Sequence, residues 1–497
     1  MPSFSVRSAV VRGAEAVPVS VEVSFTGGLP GVHIVGMADT SVHEAISRVR
    51  CAINQCGFTM PRASVTVNLA PGEIKKTGTG LDLPIAVAIL ACSKQIPQAG
   101  LEDCLFVGEL GLSGDVNPVR GTVAFALLAA EGNLSLIRAE EEPSGWLVSE
   151  KERCISSLVE MQRGVAALGR GESGTRIAEQ ASFDDFAHEG PDFADVVDQE
   201  VAKRALVIAA AGSHGVLMMG PPGAGKTMLA RRMPSILPPL SAEERVEAML
   251  LHSVAGEPLN DVDGGGRPFR APHHSISTAG LIGGGKPVTP GEVSLAHKGV
   301  LFLDELPEFS NATLQSLRQP LEDRRVRIVR VDGAYIFPAD FMFVAAANPC
   351  PCGHLGDPGH TCTCAPARVG AYQAKIGGPL MDRIDVFIDV ARPSSRKVIR
   401  GSEGLSSAEM AEQVTAARTY RSWRTSRESK RGNGLSGVAM EERAREVLET
   451  LAERKGFGGR GIARVAAVAR TIADMQEHEV IGVEEVIEAC SYRPRSE

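Results

Sequence analysis

Gly215-Val-Leu-Met-Met-Gly220-Pro-Pro-Gly-Ala-Gly225-Lys-Thr-Met-Leu-Ala230 is the stretch on which the fold turns. An apolar run leads into Gly220, Pro221, Pro222, Gly223, Ala224, Gly225, Lys226 and Thr227, which fit G-x-x-x-x-G-K-[ST], and a helical stretch follows. A strand, a glycine loop and a helix form the frame in which that pattern holds a nucleoside triphosphate. The loop amides close round phosphate at a helix N-terminus, Lys226 reaches the β- and γ-phosphates, and Thr227 offers a hydroxyl to Mg²⁺. ATP and Mg²⁺ are the cofactors implied. Further along, Leu301-Phe-Leu-Asp-Glu305 reads as a buried strand ending in two carboxylates. Asp304 suits metal holding, and Glu305 suits polarising an attacking water.

Working outward, Phe341 to Ala347 is a second apolar strand and ends in Asn348, whose amide fits either water orientation at a γ-phosphate or a plain turn before Pro349. Leu380-Met-Asp-Arg-Ile-Asp385 offers Arg383. It suits an arginine finger reaching a neighbouring subunit, or an ordinary ion pair with Asp382 or Asp385. Arg324 to Val331, the Asp332-Gly333 pair and Ala334 to Pro338 read as a β-hairpin with a D-G turn. Its Arg327 and Arg330 suit sequence-independent phosphate contact, with a solvated basic edge as the competing reading. Cys350, Cys352, Cys362 and Cys364 place four thiols in one glycine-rich loop. Tetrahedral Zn²⁺ suits them, as do free thiols or a redox role.

The chain has 497 residues, too long for one core, and about three domains are expected. Residues 1–130 alternate strands such as Pro18 to Phe25 with helices such as Ser41 to Cys56, and read as one α/β domain. Residues 131–190 pattern weakly and read as an edge and linker. Residues 191–392 form the central α/β domain, and 393–497 an all-helical one broken at Gly432 to Gly437 and Gly456 to Gly461. The apolar fraction of 43% and charged fraction of 23% suit an ordinary globular protein. No apolar run approaches the roughly 18 residues that span a bilayer, and Met1 to Ser20 lacks a signal peptide's apolar core, so the expected location is the cytoplasm. Ten cysteines there read as thiols or metal ligands. A net charge of −8 leaves any DNA contact to local basic surfaces.

Longer phrases carry a resemblance: Gly28-Leu-Pro-Gly-Val-His-Ile-Val-Gly36, Val67-Asn-Leu-Ala-Pro71, Arg267-Pro-Phe-Arg-Ala-Pro-His-His274, Pro290-Gly-Glu-Val-Ser-Leu-Ala-His297 and Asn348-Pro-Cys-Pro-Cys-Gly353. With them the chain resembles, over nearly its whole length, the magnesium-chelatase-like AAA+ ATPases of the YifB/ComM type. The resemblance implies a Lon-protease-like N-terminal α/β domain, a P-loop AAA+ core and a helical lid. It casts Asn348 as sensor 1, Arg383 as the arginine finger and Arg460 as the sensor-2 arginine, although the family's Ser-Ala-Arg is Gly458-Gly-Arg460 here. Peptidase chemistry is not expected. Gly80-Leu-Asp-Leu-Pro84 stands where a Lon nucleophile would be, and Gly121 to Ala130 has no lysine for a dyad. The resemblance further implies a homo-oligomeric ring, a hexamer, with the hairpin in its pore on single-stranded or branched DNA. The function implied is a DNA translocase or helicase in branch migration during natural transformation. A chelatase-like motor acting on a protein or tetrapyrrole partner is the alternative.

Overall fold

The computed structural model describes residues 3–140, 151–170, 190–357, 359–376, 378–400, 404–427 and 438–493. The N-terminal domain contains β1 (Ser3–Arg12), β2 (Glu15–Thr26), β3 (Gly31–Val35), α1 (Thr40–Gln55), β4 (Ser64–Ala70), α2 (Asp82–Cys92), β5 (Cys104–Phe106) and α3 (Thr122–Glu131). It ends in three short strands, β6 (Ser135–Arg138), β7 (Arg153–Cys154) and β8 (Gly169–Arg170). These form an eight-stranded sheet ordered β8-β7-β6-β5-β1-β2-β4-β3. Strands β1 and β2 fold back on each other from Ser3↔Ser24 to Arg12↔Glu15, so their tip is Gly13-Ala14. Alternation along β2 sends Val19, Val21 and Val23 into the core. Helix α2 is buried at every residue. It tolerates Asp82 because Arg48 donates to that carboxylate from Nε and Nη2 at 2.6 and 3.0 Å.

Within the expected edge and linker, residues 135–138, 153–154 and 169–170 are strands, and residues 141–150 and 171–189 lie outside the described residues. Strands β6 to β8 extend the sheet, and Ile155, Leu158, Met161, Val165 and Leu168 complete its core. Strands of two to four residues are too short to display an alternating pattern, which is why the sequence looked structureless there.

The central domain has α4 (Glu200–Gly212), β9 (Val216–Met219), α5 (Lys226–Arg231), α6 (Ala242–Ala255), β10 (Phe269–Arg270), β11 (Val300–Leu303), β12 (Arg325–Arg330), β13 (Gly333–Pro338), β14 (Met342–Ala347), α7 (Pro366–Ala374) and β15 (Val386–Asp389). Five strands run parallel in the order β10-β11-β14-β9-β15. Continuously apolar strands such as Val300–Leu303 belong to a parallel sheet covered on both faces. In register, Met219 lies opposite Ala347 and Asp389, so Gly220 and Asn348 emerge at the same edge.

Four helices follow: α8 (Ser407–Arg427), α9 (Glu442–Lys455), α10 (Gly459–Met475) and α11 (Val483–Ser491). They share one core with α4 and the sheet, through Val414, Leu448, Val468 and Val486 against Leu206 and Val386. The second expected glycine break is a short turn at Gly456 to Gly458, and Gly432 to Gly437 lie outside the described residues. No described helix is long and apolar enough to cross a membrane.

Asp385 fastens this helical unit to the sheet. Its carboxylate accepts from Arg464 on α10 at 2.7 Å and from the Gly215 amide at 3.1 Å, and meets His214 Nδ1 at 3.4 Å. Burial works to raise the Asp385 pKa, but hydrogen bonds from His214 and Arg464 outweigh it and hold the carboxyl below the ordinary carboxylate range. Asp385→Ala is expected to destabilise the helical unit by about 3–5 kcal/mol, since a largely buried charge network loses its anion. Denaturant melts of the two proteins check this. In the wild type the contribution is complete above about pH 4 and is lost as pH falls through the lower folded value.

Candidate nucleotide site and its surroundings

The loop Gly220 to Gly225 turns onto α5 through Gly223 and Gly225, at φ 77° and 94°, a region a side chain would strain. Lys226 heads the helix and is buried. Its ammonium donates to the carbonyls of Gly220 at 2.7 Å and Pro221 at 3.1 Å, and to Asn348 Oδ1 at 3.0 Å. Burial lowers its pKa, while Asp304 and Glu305 pull it back up. A cation so placed, beside loop amides at a helix N-terminus, suits polyphosphate.

Thr227 Oγ1 donates to Asp304 Oδ2 at 2.6 Å, which puts the hydroxyl and the carboxylate on one side of the loop, as a shared Mg²⁺ would require. Glu305 is left-handed at φ 51° and more than half exposed, so its carboxylate leaves the strand line. There it meets His274 Nδ1 at 3.5 Å. His273 packs against His274 with ring centroids 4.0 Å apart. With Arg231, these groups line a cavity of about 260 Å³ beside Asp304. The two histidines were quoted in the sequence but given no part in the site. Nothing local marks them, because only the fold carries the loop after β10 to the end of β11.

Asn348 opens the cysteine loop. The Cys350 sulfur lies 3.4 Å from Cys352 and 3.7 Å from Cys362, and Cys352 lies 3.6 Å from Cys362. All four sulfurs, Cys364 included, fall within 4.8 Å of one another. Sulfurs about 2.3 Å from a tetrahedral metal would stand about 3.8 Å apart, so the four thiols can hold one. Backbone amides of His354 and Thr363 hold the Cys352 thiol down to about 5. The Cys364 amide works to lower Cys362, but burial and hydrogen bonds to Cys352 and Cys350 outweigh it and push that thiol up, so without a metal the cluster shares few thiolates. The loop abuts the phosphate loop, for a Cβ on Gly353 would run into the Pro222 ring.

Arg383 and Arg460 lie elsewhere. Both border the start of β15, whose Val386 pairs with Val216, while Lys226 lies beyond Met219 at the other end. Four residues of strand at about 3.3 Å each keep them apart. Arg383 pairs with Glu322. Asp382 pairs with Arg460 at 3.1 Å. The lid arginine thus stands on the Arg383 side of the sheet and away from its own Lys226, because Asp385 and His214 dock α10 there.

The hairpin β12–β13 forms as expected, with Arg330↔Gly333 closing the turn. Its two singled-out arginines face opposite ways, because side chains alternate. Arg327 shares its face with Arg325 and Val329, all exposed, whereas Arg330 shares the face of Val326 and Ile328 and nears Gly284. Arg325 is the partner that sequence reading missed.

Family models match the chain in three places. "Magnesium chelatase, subunit ChlI" covers residues 192–398, "Subunit ChlI of Mg-chelatase" covers 21–141, and "Magnesium chelatase, subunit ChlI C-terminal" covers 404–493. Among curated relatives, an uncharacterised protein of Mycobacterium tuberculosis is 39% identical over 98% of this chain and 97% of its own. YifB of Salmonella typhimurium is 38% identical over 98% and 96%. The competence protein ComM of Haemophilus influenzae is 37% identical over 98% and 97%.

Proposed function

Because the chain belongs to the magnesium-chelatase-like family that includes YifB and ComM, we propose that it is an AAA+ ATPase that moves along DNA as a ring. The cellular role proposed is branch migration during recombination of incoming DNA, in keeping with the name of the Haemophilus relative. The hairpin carries the DNA part of this reading. Arg325 and Arg327 project from one exposed face, and guanidinium groups there meet phosphate whatever the base sequence. A second reading, a chelatase-like motor working on a protein or tetrapyrrole partner, draws on the chelatase models themselves.

The residues present fit ATP and Mg²⁺. Lys226 would hold the β- and γ-phosphates, and Thr227 with Asp304 the metal, which supplies charge neutralisation when bound. Glu305, with His274 beside its carboxylate, would orient and deprotonate a water, and Asn348, which accepts from Lys226, would orient that water or touch the γ-phosphate. Arg383 and Arg460, on the far edge of the sheet, would serve a neighbouring subunit's nucleotide. The N-terminal domain is proposed as a Lon-like module without peptidase activity, since Asp82 at the decisive turn is committed to Arg48.

DNA is expected to raise the ATPase rate of the wild type. Arg325→Ala with Arg327→Ala should abolish that rise, leave the basal rate, and reduce the salt slope of DNA binding by about 1 per lost contact. ATPase indifferent to DNA would instead favour the chelatase-like motor.

Glu305→Gln is expected to bind ATP yet lose at least about 10²-fold in turnover. Arg383→Ala should lose about 10³-fold or more, and mixing the two inactive proteins should restore part of the rate through mixed interfaces. Mixtures that assemble and stay inactive would remove the subunit-bridging role.

We propose structural Zn²⁺ for the cysteine loop. Elemental analysis of protein purified without added metal should find about one zinc per chain, lost in Cys362→Ser. Metal-free protein with full activity would refute it.

A further inference from the structure

The hairpin β12–β13 is a two-stranded sheet, a unit that is marginal in water by itself. Its base is anchored, for Val326 and Phe337 are buried in one core with Leu317 and Phe343. Its outer half touches that core through the half-buried Ile328 and Tyr335, while Val329, Val331 and Ile336 are exposed, Val331 completely.

Gly283 and Gly284 of the central domain approach Ile328 and Arg330, and the turn itself is met from the N-terminal domain. Arg12, the last residue of β1, donates from Nη2 to the Asp332 carbonyl at 2.6 Å, across more than three hundred residues of chain. The same guanidinium lies 5.6 Å from the centre of the Tyr335 ring. Tyr335 Oη in turn donates to the Asp332 carboxylate at 2.9 Å, so cation, ring and turn form one unit. Backbones approach as closely as side chains do. A Cβ on Gly13 would come within 3.0 Å of the Ile336 carbonyl, and one on Gly333, at φ 130°, would overlap the Arg12 guanidinium. Ala14, beside Gly13, belongs to the same core as Val326 and Phe337. The β1–β2 tip is therefore shaped to this turn.

We propose that Arg12 is a positioning residue through which the N-terminal domain sets the posture of the β12–β13 hairpin and hence how its arginines meet a nucleic-acid backbone. This rests on the DNA-motor reading for its consequence but not for its mechanics. An arginine suits the task because one planar group serves both carbonyl and ring. Posture matters because Arg325 sits at the anchored base and Arg327 on the same face toward the turn, so a tilt of the turn changes how the two meet successive phosphates.

The full-length chain tests this in two measurements. In Arg12→Ala, amides of residues 326–337 should exchange with solvent about tenfold faster, as loss of a charge-assisted anchor implies. The DNA concentration giving half-maximal ATPase stimulation should rise about tenfold with the basal rate unchanged, and Arg12→Lys, which keeps a cation and a donor, should recover part of both. Gly333→Ala should impair stimulation less in the Arg12→Ala background than in the wild type, since its clash partner is gone. Unchanged hairpin exchange in Arg12→Ala overturns the proposal. So does faster exchange with an unchanged half-maximal DNA concentration in a DNA-responsive protein. Faster exchange in a protein whose ATPase ignores DNA would uphold the positioning and remove the DNA reading alone.

Discussion

The inner strands of a parallel sheet covered on both faces do not tolerate charge, and the central domain is arranged around that constraint. Val216–Met219, Val300–Leu303 and Met342–Ala347 contain no polar side chain, so every chemically active group is displaced to a strand end. Parallel register then does the grouping. Because Met219 faces Ala347, the residues just beyond them include Lys226 and Asn348, which meet at 3.0 Å. Asp304 follows β11 and reaches Thr227 at 2.6 Å. Carboxylates and the phosphate-loop lysine thus share one edge, and Arg383 and Arg460 occupy the other. In the proposed ring, an edge bearing arginines would complement a neighbouring edge that holds phosphate.

How much of this could be read in advance depended on the range over which each feature is encoded. The phosphate loop is local: its strand, its positive-φ glycines and its helix lie within sixteen residues, and each was readable. Arg460 was not, since its place is set by Asp385 and His214 docking α10 against the sheet edge, contacts that no stretch of sequence displays. His274 was missed for the same reason. The facing of the hairpin arginines was legible, because the alternation of a strand already assigns Arg327 and Arg330 to opposite faces. The strands at Arg153–Cys154 and Gly169–Arg170 were not legible, because strands of two residues are specified by packing alone.

The hairpin and the cysteine loop flank one strand, and this connects the outer surface to the nucleotide edge. β13 passes through Ala339 to Phe341 into β14, and Asn348 follows at its far end. The passage is braced, for the Lys298 amide donates to the Asp340 carbonyl at 2.6 Å and His297 Nδ1 accepts from the Asp340 amide at 2.9 Å. Beyond Asn348 the cysteine loop presses Gly353 on Pro222. The hairpin base is thus joined to Lys226 by two short chains of contact, one along β14 to Asn348, whose amide oxygen accepts from Lys226, and one through the cysteine loop to Pro222, next to the Pro221 carbonyl that Lys226 also bonds. Both run through elements already packed in the native fold.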